Sequence, residues 1–295
     1  MKWFQIKEHS AGRKRLALTW FLYKVFGEKM LYFVARIVSL FTLIFASDLR
    51  KYSKKYFETI QKQTGIKPTI KNIYKHIKCY ADSLCDKMLV LSGNFDINKI
   101  IFENENDKEI VFKDINEKQG VFFICTHVGN VEVLQTLLLQ NDDKFKINIF
   151  MSNKQSQIFN EFLQTIKIDY PVNLFPVENI GLNTGIELKE NLNKGDIVFI
   201  AGDRLAQEND TRSVRCKIFG KHILLPIGTY KLAKLMEVPV YFISAIKTNG
   251  VYRIYTQKQT ELTEKQITNS FCAFLEKCIL TEPFQFFHFY DFFEE

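Results

Sequence analysis

Five short apolar runs punctuate the middle of the chain, and apolar residues recur every three or four positions between them. The runs are GVFFICT (120–126), INIFM (147–151), VNLFPV (172–177), DIVFIAG (196–202) and PVYFISAI (239–246). Helical spacing holds over about 130–140, 154–167, 182–193 and 228–236, with a closing helix over 263–280. Strands apolar on both faces, alternating with helices, predict an α/β fold with a mixed, largely parallel sheet covered by helices. Upstream, Ile70, Ile73, Tyr74, Ile77, Tyr80, Ala81, Leu84 and Met88 predict an amphipathic helix from Thr69 to Gly93. KIIF (99–102) and EIVF (109–112), separated by the polar stretch Glu103 to Lys108, predict a hairpin.

No internal repeat, low-complexity tract or Pro/Gly/Ser linker breaks this pattern. It predicts one large domain over residues 61–295, preceded by a helical segment over residues 1–60. That segment holds Met30 to Ser47, MLYFVARIVSLFTLIFAS, with Arg36 as its only charge and the clusters Arg13-Lys14-Arg15 and Arg50-Lys51 on either side. A spanning helix needs ~20 apolar residues, and a central Arg costs ~2.5–3.5 kcal/mol on insertion scales. Spanning is therefore marginal. A helix lying in the membrane interface keeps Arg36 near headgroups, and each nearby Lys or Arg adds ~1 kcal/mol of attraction to anionic lipid. The bland alternative is a buried core helix with solvated basic neighbours.

Charge sharpens this picture. Of the net +7, residues 1–55 supply twelve Lys or Arg against three acids, a local +9, so the remaining 240 residues carry −2. These basic residues flank aliphatic runs and do not form a groove with spaced aromatics, which argues against nucleic acid as a partner. The 28 Phe and 12 Tyr suit either a greasy surface or a lipid-sized pocket. Six cysteines, at 79, 85, 125, 216, 272 and 278, form no C-x-x-C pair, which gives neither a zinc ribbon nor a disulfide framework and points to a reducing cytoplasmic setting. No signal peptide with a small-residue cleavage site is readable.

The candidate chemistry sits in FFICTHVGNVEVL, residues 122–134. The buried strand stops at His127, and after Gly129 an amphipathic helix begins, which places the imidazole at the carboxyl edge of the sheet where ligand sites of open α/β folds gather. Glu132, five positions on, is expected to fold back toward one ring nitrogen and leave the other facing a cleft, the arrangement of a general base acting on a hydroxyl. His9, His76, His222 and His288 lack such a setting; His76, beside Lys75 and Lys78, reads as a surface residue and His222 as a loop residue. No two histidines lie at ligand spacing, so no metal is expected. G-x-S-x-G, G-x-G-x-x-G and the P-loop lysine are absent, which leaves serine hydrolase and nucleotide-binding readings without support.

HVGNVE (127–132) resembles the His-x4-Asp/Glu motif of the lysophospholipid acyltransferase superfamily, in the form common among its lipid A biosynthesis acyltransferases. GDIVFIAGDR (195–204) is similar to that branch's Gly-Asp-Arg block, FGKHILLPIGTYKLAKLMEVPVYFISAIK (219–247) to its Phe-Gly and Pro-x-Gly block, and EPFQFFHFYDFF (282–293) to its ending. The arrangement from Trp3 through Arg50 also resembles a group associated with aryl polyene lipids. The resemblance implies an acyltransferase catalytic domain over 61–295, acting at the cytoplasmic face of the inner membrane without a cofactor. It implies that His127, supported by Glu132, deprotonates a hydroxyl of a lipid or glycolipid acceptor, and that the alkoxide attacks the thioester of an acyl carrier protein or acyl-CoA donor. Arg204 is then a substrate anchor with Asp203 orienting it, Arg212 and Arg215 are further anchors in a polar loop, and Asn130 holds the loop or polarises a carbonyl. A Glu-Gly-Thr-Arg block of glycerol-phosphate acyltransferases is absent. The competing expectation is a catalytically silent lipid- or carrier-binding protein of the same fold.

Overall fold

A computed structural model describes residues 13–117, 119–139, 145–166, 172–205, 212–260 and 263–294. The long apolar run becomes β2 (Val121–Gly129), whose Phe122, Phe123 and Ile124 have no exposed surface, so the strand is covered on both faces. Its parallel neighbours are β5 (Ile197–Ala201) and β8 (Val240–Thr248). Beyond β5 lie β3 (Ile147–Met151) and β4 (Val172–Pro176), also parallel. Beyond β8 lie β9 (Val251–Lys258), antiparallel to it, and β1 (Ile100–Phe102), parallel to β9. The sheet order is thus β1-β9-β8-β2-β5-β3-β4. The β8–β9 hairpin turns on Asn249-Gly250, both at positive φ (52° and 82°), the two-residue turn whose twist matches antiparallel strands.

Helices cover the sheet as the pattern requires: α5 (Glu105–Asn116), α6 (Glu132–Leu139), α7 (Asn153–Ile166), α8 (Leu182–Asn193), α9 (Ile227–Met236) and α10 (Glu264–Thr281). Phe122, Ile124, Val198, Ile200 and Phe242 join one core with Leu188 of α8, Ala233 of α9 and Phe271 of α10. Phe123, Cys125, Phe199, Tyr241 and Ile243 join a second core with Val111 of α5 and Val133 of α6. Each buried Phe or Ile contributes ~1.5–3 kcal/mol relative to exposure, which makes the two-faced strands the main source of cohesion. A separate hairpin, β6 (Ser213–Ile218) with β7 (Lys221–Pro226), closes over the first core through Cys216, Ile218, Ile223 and Leu225. All six cysteines are free.

Before the sheet come α1 (Arg13–Phe26), α2 (Glu28–Phe45), α3 (Ser47–Thr64) and α4 (Ile70–Leu91). Helix α2 is apolar on two sides. Leu31 and Ala35 pack on Cys85, Met88 and Leu89 of α4, while Phe33, Ile37, Val38, Leu40, Phe41, Ile44 and Phe45 stand exposed. Leu18, Phe21, Val25 and Phe26 of α1 add to that exposed apolar surface. The chain bends by 90° between α2 and α3, where the Arg50 guanidinium donates to the terminal carbonyls of Leu43 and Ile44. Among the described residues no single helix is long and apolar enough to cross a membrane, although the bent α2–α3 pair passes the same test by length and composition.

Four expectations change. Glu109 to Phe112 is helix, not the second strand of a hairpin: Asn104 caps α5 by accepting from Asn106 N–H at 2.9 Å, and Glu105 and Asp107 in the first turn suit its dipole. The segment boundary at residue 60 falls inside α3, whose Tyr56, Phe57 and Ile60 belong to the first core. His76 is fully buried, its Nδ1 2.9 Å from Ser53 Oγ and its Nε2 2.9 Å from the Phe286 carbonyl, because it shares a helix face with Ile73 and Ile77. His222 lies in β7 opposite Lys217, not in a loop. Lys2, Trp3, Lys7 and residues 206–211 of the polar loop lie outside the described residues.

Candidate active site

Strand β2 ends irregularly. Cys125 pairs with Ile243 and Gly129 with Ala245, so the register shifts between them and a bulge forms around His127. The bulge is pinned from β8: Thr126 Oγ1 donates to Ser244 Oγ at 3.0 Å, and Ser244 Oγ donates to the Val128 carbonyl at 2.8 Å. Gly129 is required where it stands. Its φ is +78°, and a Cβ there would lie 1.9 Å from the Ala245 carbonyl oxygen.

The bulge turns His127 toward the end of the neighbouring strand β5, where Asp203 is 1% exposed. Asp203 Oδ2 accepts the His127 backbone N–H at 2.7 Å, and Oδ1 lies 2.6 Å from His127 Nδ1. An ionised carboxylate only accepts, so the Nδ1–Oδ1 bond assigns the ring proton to Nδ1 and the lone pair to Nε2. The imidazole keeps 32% of its surface exposed, and among the described residues Nε2 has no hydrogen-bond partner. Burial and the Arg204 charge push the His127 pKa below 6.5 against the opposing pull of Asp203 and Glu132, which keeps the ring neutral at pH 7. Burial works against ionisation of Asp203, but His127 and His288 outweigh it and hold the carboxyl far below the usual range. Two strand ends thus bring an imidazole with an unpaired Nε2 and a buried carboxylate together at the carboxyl edge of the sheet.

Glu132, at the start of α6, is bound to Lys87 of α4. Burial penalises its charge, yet Lys87 and, more weakly, His127 lower its pKa overall, so it remains an anion close enough to act on the ring. The nitrogen it was expected to hold is held by Asp203 instead. Asp203, expected to orient Arg204, turns its carboxylate to His127 instead, because both strand ends open on the same side. Asn130 is 3% exposed; its N–H donates to the Ala245 carbonyl at 2.8 Å and its side-chain amide to the Ser83 carbonyl at 3.0 Å, which fastens the turn to β8 and α4. Arg204 is half-buried, with Nη2 donating to the Phe287 carbonyl at 3.0 Å and its charge acting on His127 and Tyr290. Arg212 and Arg215 are exposed, and Arg215 pairs with Glu294 at 2.8 Å.

The chain's last segment forms the back wall. Val128 bridges to Phe286, the Phe287 N–H reaches the His127 carbonyl at 3.4 Å, and His288 is 2% exposed beside Asp203. A ring nitrogen of His127, an Asp203 oxygen and a His288 nitrogen lie within 4.8 Å of one another. That spacing resembles a ligand set. The 2.6 Å contact between Nδ1 and Oδ1, however, is a direct hydrogen bond, shorter than the ~3.3 Å between two donors on one tetrahedral zinc. A shallow depression lies between α3 and this segment, lined by Tyr52, Lys55, Tyr56, Phe286 and His288.

Residues 95–294 match the family model of the bacterial lipid A biosynthesis acyltransferases. The chain belongs to that family. Membership makes it an acyltransferase acting on a lipid, and the match takes in the sheet, His127, Glu132, Asp203, Arg204 and His288, with α1 to α4 outside it. A comparison with individual curated proteins gave no match. In this acyltransferase His288, beside Asp203, has no readable signal in the sequence. Its place in an aromatic run gave no polar signal, and only the return of the chain end to β2 brings it to Asp203.

Proposed function

We propose that this acyltransferase moves a fatty acyl group from the thioester of an acyl carrier protein or coenzyme A to a hydroxyl of a lipid or glycolipid, with His127 as general base. The observation that carries the reading is the Nδ1–Asp203 hydrogen bond of 2.6 Å on a neutral, partly exposed imidazole, which leaves Nε2 basic. Nε2 takes the hydroxyl proton as the oxygen attacks the thioester carbonyl carbon. The tetrahedral intermediate collapses, the carbon–sulfur bond breaks, and the imidazolium returns its proton to the departing thiolate. No acyl-enzyme forms. Asp203 keeps the ring in the productive tautomer and stabilises the imidazolium, and the anionic Glu132 adds to that stabilisation from α6. Arg204, a permanently charged fork beside the ring, supplies an anchor for an anionic group of either substrate.

The acceptor is reached from a membrane surface. The exposed stripe from Phe33 to Phe45 on α2, with Phe21 and Phe26 of α1, supplies apolar insertion, and the exposed Lys24, Lys29, Arg36, Lys51 and Lys54 supply attraction to anionic headgroups. These surfaces support a reading in which the enzyme sits on the cytoplasmic face of the inner membrane. The test is transfer of a radiolabelled acyl group from acyl carrier protein, and separately from coenzyme A, to a bacterial lipid extract. Labelled lipid appearing with purified protein is expected; no labelled lipid from either donor would favour a silent lipid-binding protein.

A further inference from the structure

We propose that His288 is a positioning residue of this acyltransferase, acting through Asp203 on the orientation of the His127 imidazole; the inference rests on His127 being the general base. His288 has no exposed side-chain surface. Its ring stacks on Phe286 with centroids 4.0 Å apart and planes 12° from parallel, and Phe292 and Tyr290 enclose it at 4.7 and 5.0 Å. An imidazole is a costly filler for an aromatic cage unless its polar atoms are used, because an unpaired buried polar group costs ~1–3 kcal/mol.

One nitrogen is used. His288 Nε2 lies 3.4 Å from the Asp203 carbonyl and 3.8 Å from its Oδ2, both acceptors, whereas Nδ1 is buried without a hydrogen-bond partner. Only an Nε2–H tautomer satisfies that pair, since neither oxygen of Asp203 has a proton to give. Burial keeps the ring uncharged, so His288 acts as a fixed dipole and not as a second base. Asp203 is therefore gripped from both sides: its carboxylate by the ring and backbone of His127, its carbonyl by His288. The His127 and His288 rings meet edge to face at 5.5 Å and 78°, so the aromatic cage also limits how far the His127 ring can turn. The terminal segment is held to the body by Lys55–Asp291 at 2.7 Å and Arg215–Glu294 at 2.8 Å, which keeps His288 in register with the bulge.

The test reads both structure and turnover. In the substrate-free enzyme a strongly deshielded proton resonance, abolished by Asp203→Asn, reports the Nδ1–H shared between His127 and Asp203. His288→Phe keeps the aromatic stack and removes only the N–H. The expected result is a resonance that moves upfield or broadens, with kcat about 10-fold lower and KM within twofold of wild type. His288→Gln, which keeps a side-chain N–H, should recover the resonance and at least half of the lost kcat on a logarithmic scale. An unchanged resonance and kcat in folded His288→Phe overturns the proposal. Should the phenylalanine variant not fold, His288→Leu takes its place, and an unchanged resonance and kcat in that folded variant overturns the proposal. Because the resonance is read without substrate, absent transfer by the wild type counts against the proposed function, and an unresponsive resonance counts against His288.

Discussion

Replacing Asp203 by asparagine changes one atom of a buried side chain and therefore isolates the contribution of its carboxylate to His127. The carboxylate accepts two hydrogen bonds from His127, at 2.6 Å from Nδ1 and 2.7 Å from the backbone N–H. An amide has one acceptor oxygen. If that oxygen stays on the backbone N–H, the amide NH2 faces Nδ1, the ring proton moves to Nε2, and the nitrogen that should take the hydroxyl proton no longer has a lone pair. General-base catalysis is worth ~10²–10⁴-fold, or ~2.7–5.5 kcal/mol of barrier, and most of it should vanish. Losing one charge-assisted bond costs ~1–3 kcal/mol of stability, small enough for the protein to stay folded at 25 °C. Glu132→Gln, by contrast, should cost about 10-fold, since Glu132 is committed to Lys87 and acts on the ring only through space. The assay is kcat for labelled acyl transfer, with thermal melting as the folding control. A folded Asp203→Asn protein within threefold of wild type, alongside a 10³-fold loss in Glu132→Gln, would refute the assignment and make Glu132 the orienting acid.

Three further outcomes follow from the same geometry. With His127 as the proposed base only the neutral ring is active, and burial and the Arg204 charge hold its pKa below the ordinary imidazole value, so kcat/KM should be level near pH 7 and fall at lower pH; a midpoint above 7 contradicts the pairing described. Gly129→Ala brings a Cβ to 1.9 Å from the Ala245 carbonyl at positive φ, so denaturant melts should show a loss above ~3 kcal/mol, and a loss below 1 kcal/mol would mean the bulge is not as described. Changing Phe33, Phe41 and Ile44 together to serine should lower binding to anionic vesicles at least 10-fold in flotation without lowering the melting temperature, because these side chains are 55%, 57% and 63% exposed; unchanged binding would remove α2 from the membrane contact.

The layered sheet was legible because strands buried on both faces leave continuous apolar runs, and His127 was legible because a polar residue ended the strongest of them. What escaped was set by distance along the chain or by rules weaker than periodicity. The partner of His127 lies 76 residues away, and nothing in GDR tells whether its carboxylate turns to Arg204 or across to the next strand end. His76 was misread from its lysine neighbours, although its spacing from Ile73 and Ile77 places it on the buried face. Strand β9 follows the Asn249-Gly250 pair, the strongest short hairpin signal, while its own alternation is weak. At 104–112 a cap and two first-turn acids outweigh the three-residue apolar run Ile110-Val111-Phe112, too short to specify a strand.

The proposed chemistry depends on one imidazole, so the deciding measurement is the turnover of purified His127→Ala against wild type in acyl transfer at saturating donor and acceptor. A loss of ~10²–10⁴-fold with an unchanged melting temperature is predicted. Turnover retained within threefold would take His127 out of the mechanism.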